Sequence, residues 1–239
     1  MDVLKVNGLS KAYPSFLLNN VSFNVREGSI MGFIGRNGAG KTTTLKSILN
    51  IVHADEGEII CFGMDMKANE SEIKQRIGFA GGAVNYFKRK KIKDILTVTS
   101  KFYETWDDVL CQKYMELFDL DEEKTPSQLS QGMKVKLSLV MALSHKAQLL
   151  ILDEPTSGLD PISRDELLEI FKFLKLQDVS ILFSTHITSD LDKCADDITY
   201  IRDGEIVYTG SLQNFTQGCS LEEVMLSHEK EALHEKFTY

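Results

Sequence analysis

Apolar and polar positions along this chain change rhythm several times. Val3-Leu4-Lys5-Val6 and Val21-Ser22-Phe23-Asn24-Val25 carry strand-like patterning, separated by a break at Ala12-Tyr13-Pro14-Ser15. Ser29-Ile30-Met31-Gly32-Phe33-Ile34 reads as a buried strand, and residues 42–52 as the helix after it. Strands are predicted over 58–63 and 77–80, with a short helix at 71–76 between them and Gly81-Gly82 closing the second strand. Between 84 and 147 the spacing shifts to threes and fours, which predicts helices over 92–103, 107–118 and 133–144 with no strand among them. Gln148-Leu149-Leu150-Ile151-Leu152-Asp153 then suits a parallel strand buried on both faces. Asp160-Pro161 supplies an N-cap and a first-turn proline for a helix to about 176. Residues 179–184 make another core strand, and 198–208 a hairpin around Arg202-Asp203-Gly204. Ser220 with Glu223 forms a capping box for a charged terminal helix. The pattern is that of an α/β core with a helical insert and no internal repeat.

Composition narrows this little. A chain of 239 residues suits one large α/β domain or a core with a subdomain. A net charge of −8 counts against broad nucleic-acid binding. No apolar run is long enough to span a bilayer, and the N-terminus lacks the basic-then-apolar layout of a secretory signal. Cys61, Cys111, Cys194 and Cys219 are scattered, which fits reduced thiols in the cytosol. The histidines form no H-E-x-x-H pair, so no protein-bound transition metal is expected.

Chemistry enters at Gly35-Arg36-Asn37-Gly38-Ala39-Gly40-Lys41-Thr42-Thr43, which fits G-x-x-x-x-G-K-[ST] between a strand and a helix. Glycines there let backbone N–H groups cradle phosphate oxygens. Lys41 can reach the β and γ phosphates, and the Thr42 hydroxyl can ligate magnesium. Asp153 and Glu154 end the apolar strand at 148–153, where open α/β sheets place ligands. Asp153 is expected to orient the metal shell and Glu154 to polarise a water for in-line attack. His186, at another strand end, can donate to a γ-phosphate oxygen. Leu129-Ser130-Gln131-Gly132-Met133 precedes an amphipathic helix and forms a second anion-binding device. One triphosphate does not need both devices in one chain. Two copies docked head to tail do, each covering the nucleotide held by the other.

Over nearly its full length the chain resembles the ATP-binding subunit of an ABC transporter. Residues 35–43 match the Walker A motif, 129–133 resemble the LSGGQ signature, 149–154 the Walker B motif, Ser157-Gly158-Leu159-Asp160 the D-loop, and His186 the switch histidine. Tyr13 sits where the family stacks an aromatic ring on adenine. The resemblance implies an α/β P-loop NTPase (RecA-like) core over 1–83 and 147–215 with an N-terminal antiparallel β subdomain. It also implies an inserted helical subdomain over 84–146 and a helical tail at 216–239. It further implies ATP and Mg2+ as ligands and a second ATPase subunit contributing Ser130, Gln131, Gly132, Met133 and Asp160 in trans. Separate membrane permease subunits, a cytoplasmic place on the inner membrane face and export activity complete the expectation. The insert is similar to the ATPases paired with ABC-2-type permeases. The alternative is a non-transport ABC ATPase clamping a soluble complex. Gln131 and Met133 depart from the signature, while Ser130 and Gly132 keep it. Gly82 stands where the family has a glutamine, with Asn85 near enough to substitute. Lys88-Arg89-Lys90-Lys91 and Lys93 form a basic run that reads as a solvated loop or a contact to anionic lipid.

Overall fold

The computed structural model describes residues 1–81 and 88–237, with 231–237 described by backbone alone. Gly82 and Asn85, the positions at issue for the missing glutamine, lie outside the described residues.

Strand β1 (Asp2–Tyr13) turns through Pro14-Ser15 into antiparallel β2 (Phe16–Arg26). Both strands run well past the alternating segments, because register shifts between Asp2 and Leu4, Val6 and Leu9, and Leu9 and Lys11 slip the inward-facing phase. Strand β3 (Ile30–Ile34) follows, then helix α1 (Lys41–Ile48). That helix ends short of residue 52, and Asn50 just beyond it takes a left-handed φ of 54°. Strands β4 (Glu56–Cys61) and β5 (Met64–Asp65) complete a four-stranded antiparallel sheet in the order β2-β1-β4-β5.

Helix α2 (Glu70–Gln75) leads to β6 (Ile77–Gly81). Next come α3 (Ile92–Ser100), α4 (Asp108–Leu117), a 3-10 turn at Pro126–Gln128, and α5 (Gln131–Ser144). The chain then re-enters the sheet as β7 (Leu149–Asp153), followed by α6 (Pro161–Lys175) and β8 (Ser180–Thr185). Helix α7 (Thr188–Cys194), the hairpin β9 (Asp197–Arg202) and β10 (Glu205–Ser211), α8 (Leu212–Thr216) and α9 (Leu221–Phe237) complete the order. Ser220 and Glu223 close the capping box of α9 reciprocally, at 3.0 and 3.3 Å.

The second sheet runs β10-β9-β3-β8-β7-β6, parallel throughout except for β10. Its two faces feed two apolar cores. Ile30, Ile34, Leu150, Leu152, Ile181 and Phe183 point toward α5, α6 and the helices packed beside them. Met31, Phe33, Leu149, Ile151 and Leu182 point toward α1 and the antiparallel sheet. The period of two along each strand makes that partition, and it explains why these strands read as unbroken apolar runs. Each fully buried Leu or Ile there contributes about 1.5–3 kcal/mol. A doubly covered parallel sheet leaves the carboxyl ends of β3, β7 and β8 at one rim. Lys41, Asp153, Glu154 and His186 lie there.

Candidate active site

The loop between β3 and α1 is fixed from below. A Cβ on Gly35 would collide with the carbonyl oxygen of Ile201 in β9. Gly40 has φ of 111°, and a Cβ on it would lie 3.0 Å from Leu18 and from Phe16. The Gly204 N–H of the β9–β10 turn donates to Ala39 O at 3.1 Å, so the hairpin buttresses the loop. Helix α1 starts at Lys41 with no side-chain cap and no acidic residue in its first turn. Its N-terminal amides and positive dipole end are therefore suited to an anion.

Lys41 is only 6% exposed. Its ammonium donates to Gly35 O at 2.7 Å and lies 3.1 Å from Glu154 Oε1. That last approach is an ion pair without hydrogen-bond alignment, since Oε1 has no hydrogen-bond partner among the described residues. The other oxygen, Glu154 Oε2, meets His186 Nδ1 at 2.8 Å. Lysine, glutamate and histidine thus form one line across the ends of three strands.

Glu154 adopts a left-handed φ of 51°, a costly conformation for a residue other than glycine. It holds because its N–H donates to Ser184 Oγ at 2.9 Å. The same hydroxyl donates to Asp153 Oδ1 at 2.6 Å, and Thr42 Oγ1 donates to Asp153 Oδ2 at 2.8 Å. Ser184 therefore orients the Asp153 carboxylate and the Glu154 backbone. Nothing along the chain marks it; only the parallel register that sets Asp153 beside Ser184 does so. The donor set of Thr42 and Asp153 is all hard oxygen, which fits Mg2+ completed by water and phosphate oxygens. Among the described residues no group of three or more His, Cys, Asp or Glu could hold a metal alone.

Tyr13 is exposed, its ring 6.4 Å from that of Phe16, which in turn borders Gly40. The tyrosine therefore stands near the rim of the loop. Arg36 is tied elsewhere: its guanidinium lies 3.6 Å from Glu229 of α9, which also accepts from Tyr200 at 2.5 Å. No motif along the chain marks that contact between the loop and the tail helix.

Ser130 and Asp160 form a separate group. Ser130 caps α5, accepting from Met133 N at 3.2 Å. Asp160 caps α6, accepting from Ile162 N, Ser163 N and the Ser163 hydroxyl. Gly132 packs beside Ser163 and Leu159, so the two helix starts stand together. No hydrogen bond or ion pair among the described residues joins Ser130, Gln131, Gly132 or Met133 to the 35–43 loop. The basic run is partly neutralised: Glu123 pairs with Lys91 at 2.6 Å and Lys93 at 2.5 Å. Those two lysines hold its carboxyl at about 2. Lys88, Arg89 and Lys90 stay exposed.

A family model described as ABC transporter matches residues 18–157. This chain belongs to the ABC transporter family. It is an ATP-binding and ATP-hydrolysing subunit, with the expected antiparallel β subdomain beside a P-loop sheet. It is 34% identical over 209 residues to the bacitracin transport ATP-binding protein BcrA of Bacillus licheniformis, covering 86% of this chain and 68% of that one. Against the lantibiotic transport ATP-binding protein SrtF of Streptococcus pyogenes, identity is 33% over 215 residues, covering 87% and 93%. A solved ATP-binding subunit of an ABC transporter superimposes with a TM-score of 0.85 at 26% identity, covering 94% of this chain and 98% of that one. Among the described residues no helix is long and apolar enough to cross a membrane.

Proposed function

We propose that two such subunits close head to tail around two ATP molecules and drive export through separate membrane-spanning subunits. The observation that carries this reading is the line Lys41–Glu154–His186 beside the Thr42–Asp153 pair. Gly35 to Thr43, with Arg36, Asn37, Gly38, Ala39 and Gly40 between them, surround the phosphates. Lys41 leaves Glu154 for the β and γ oxygens, where its charge is more strongly matched. Thr42 and Asp153 hold Mg2+, which when bound offsets charge on the phosphates. Glu154, released from the lysine and kept in place by His186, accepts the proton of the attacking water. Tyr13 stacks on adenine.

The capped tips of α5 and α6 serve the other copy's nucleotide. Ser130 keeps its hydroxyl proton free while its oxygen caps the helix, so it can donate to a γ-phosphate. Gln131, Gly132 and Met133 offer the helix N-terminus, and Asp160 the neighbouring turn. Residues 84–146 would move as a unit against 1–83 and 147–215, with 216–239 as a tail. Phe79, Val98 and Phe102 are exposed, as are Lys88, Arg89 and Lys90, and we assign these residues to contact with the permease and the inner membrane face. The relatives named for bacitracin and lantibiotic transport support a role in transport.

Glu154→Gln should keep ATP binding and accumulate an ATP-dependent dimer, while Lys41→Ala should lose ATP affinity. Size-exclusion chromatography with bound-nucleotide analysis reads both. A Glu154→Gln protein hydrolysing at the wild-type rate contradicts the proposal. Co-isolation with a multi-span subunit supports transport, and recovery only in a soluble complex contradicts it.

A further inference from the structure

Two turns flank the Glu154 carboxylate: the one at Ser157 to Asp160 that opens α6, and the one after His186 that opens α7. Each helix carries a charged side chain in its first turns, and the two approach one another, Arg164 half-buried and Asp190 buried. Arg164 of α6 reaches back to Leu159 O through a long contact of 3.5 Å. Asp190 of α7 is 1% exposed. Arg164 Nε and Asp190 Oδ1 stand 4.0 Å apart, beyond hydrogen-bond length. Both Arg164 Nε and Asp190 Oδ2 are buried without a hydrogen-bond partner among the described residues.

Such a pair is a poor device for stability. Desolvating a carboxylate costs several kcal/mol, and only well-formed hydrogen bonds offset it. Nor is it needed to hold α6 on α7, because Lys193 and Asp165 already bridge these helices at 2.6 Å on the surface. Its two members differ in anchorage. Leu191, next to Asp190, is fully buried against Gly32 of β3, where a Cβ would collide with its methyls. Asp190 is thus fixed to the strand that enters the phosphate loop. Arg164 belongs instead to the helix start that Asp160 caps, together with the Leu159 carbonyl.

We propose that Arg164 and Asp190 are positioning residues that register the Asp160 turn against the His186 turn when a second copy docks. Pressure on Asp160 brings Arg164 about 1 Å closer to Asp190, into charge-assisted hydrogen bonds that both groups lack in the single chain. The closed pair holds the Glu154–His186 contact, 2.8 Å in the single chain, in place while the second copy is docked. Neither residue touches nucleotide. The inference rests on the reading that Asp160 faces the second copy and that His186 steadies Glu154.

The test compares Asp190→Asn, Arg164→Met, the double variant and Arg164→Lys in steady-state hydrolysis, fluorescent-ATP binding and thermal melts on the full chain. Each single variant should lower kcat about tenfold while ATP Kd and Tm stay near wild type. The double variant should be no slower than the slower single, and Arg164→Lys should recover part of the rate. Unchanged kcat overturns the proposal. Equal losses in kcat, affinity and Tm, or additive losses in the double variant, overturn it as well. If Lys41→Ala and Glu154→Gln silence hydrolysis while the Arg164 and Asp190 variants run at full rate, only this inference falls. If Lys41→Ala and Glu154→Gln run at full rate, the site reading falls first.

Discussion

Glu154 answers to three neighbours at once: the Lys41 ammonium, the His186 ring, and the Ser184 hydroxyl that fixes its backbone. The lysine contact draws the carboxylate toward charge neutralisation, whereas water activation needs it uncommitted. In the proposed mechanism, triphosphate binding resolves the competition by taking Lys41. Ser184 is the residue whose removal separates orientation from charge. In Ser184→Ala, Asp153 loses a donor at 2.6 Å and the left-handed Glu154 loses its side-chain acceptor. We expect hydrolysis to fall about 10- to 100-fold with a raised magnesium requirement, as when a group supporting a metal ligand is removed. Stability should fall by about 1–2 kcal/mol. Rate against magnesium concentration, with a urea midpoint, checks both. Lys41, Thr42, Asp153 and Glu154 were legible in the sequence because loop spacing and a strand-end carboxylate pair carry their own chemistry. Ser184 and the Arg36–Glu229 contact were not, since strand register and the docking of α9 create them.

Several helices here start at a side-chain cap. Asp107, Ser130, Asp160 and Ser211 each accept from amides of the helix they open, and the two-residue turn Asp203-Gly204 takes the left-handed pair of φ values a tight hairpin needs. Asp160 has two jobs in the account, and they can be parted. Asp160→Asn keeps a good cap and should hold stability within about 0.5 kcal/mol, while Asp160→Ala should cost about 1 kcal/mol. Both should slow hydrolysis if the turn serves the other copy's site; chemical denaturation beside a rate assay distinguishes cap from site. What the sequence missed among the elements has a common cause. Helices α7 and α8 span 7 and 5 residues, too few for a period of 3.6 to show. Strands β1 and β2 hid half their length behind bulges.

The helical segment joins the core through a buried knot as well as through apolar packing. His145, the C-cap of α5, stacks on Tyr103 at 3.8 Å and sets Nδ1 3.2 Å from Gln75 O. Gln75 in turn donates to Phe102 O and accepts from Glu104 N. Burial holds the His145 pKa below the ordinary histidine value of 6.5. The folded chain therefore keeps a neutral ring while the unfolded chain binds a proton below that pH, so stability is full above it and declines as pH falls. Stability should therefore decline as pH falls through the ordinary histidine range. A His145→Gln variant should show a flatter loss across the same range in urea titrations. The proposed arrangement has a nucleotide gripped by the loop of one copy and the α5 tip of another. The most direct measurement mixes Lys41→Ala with Ser130→Phe, each purified and each inactive, and follows ATP hydrolysis. A shared pocket predicts that activity returns on mixing, because one of the two sites then joins an intact Lys41 loop to an intact Ser130 tip. Activity in unmixed Ser130→Phe equal to wild type, or a mixture as silent as its parts while wild-type subunits hydrolyse ATP, would contradict it.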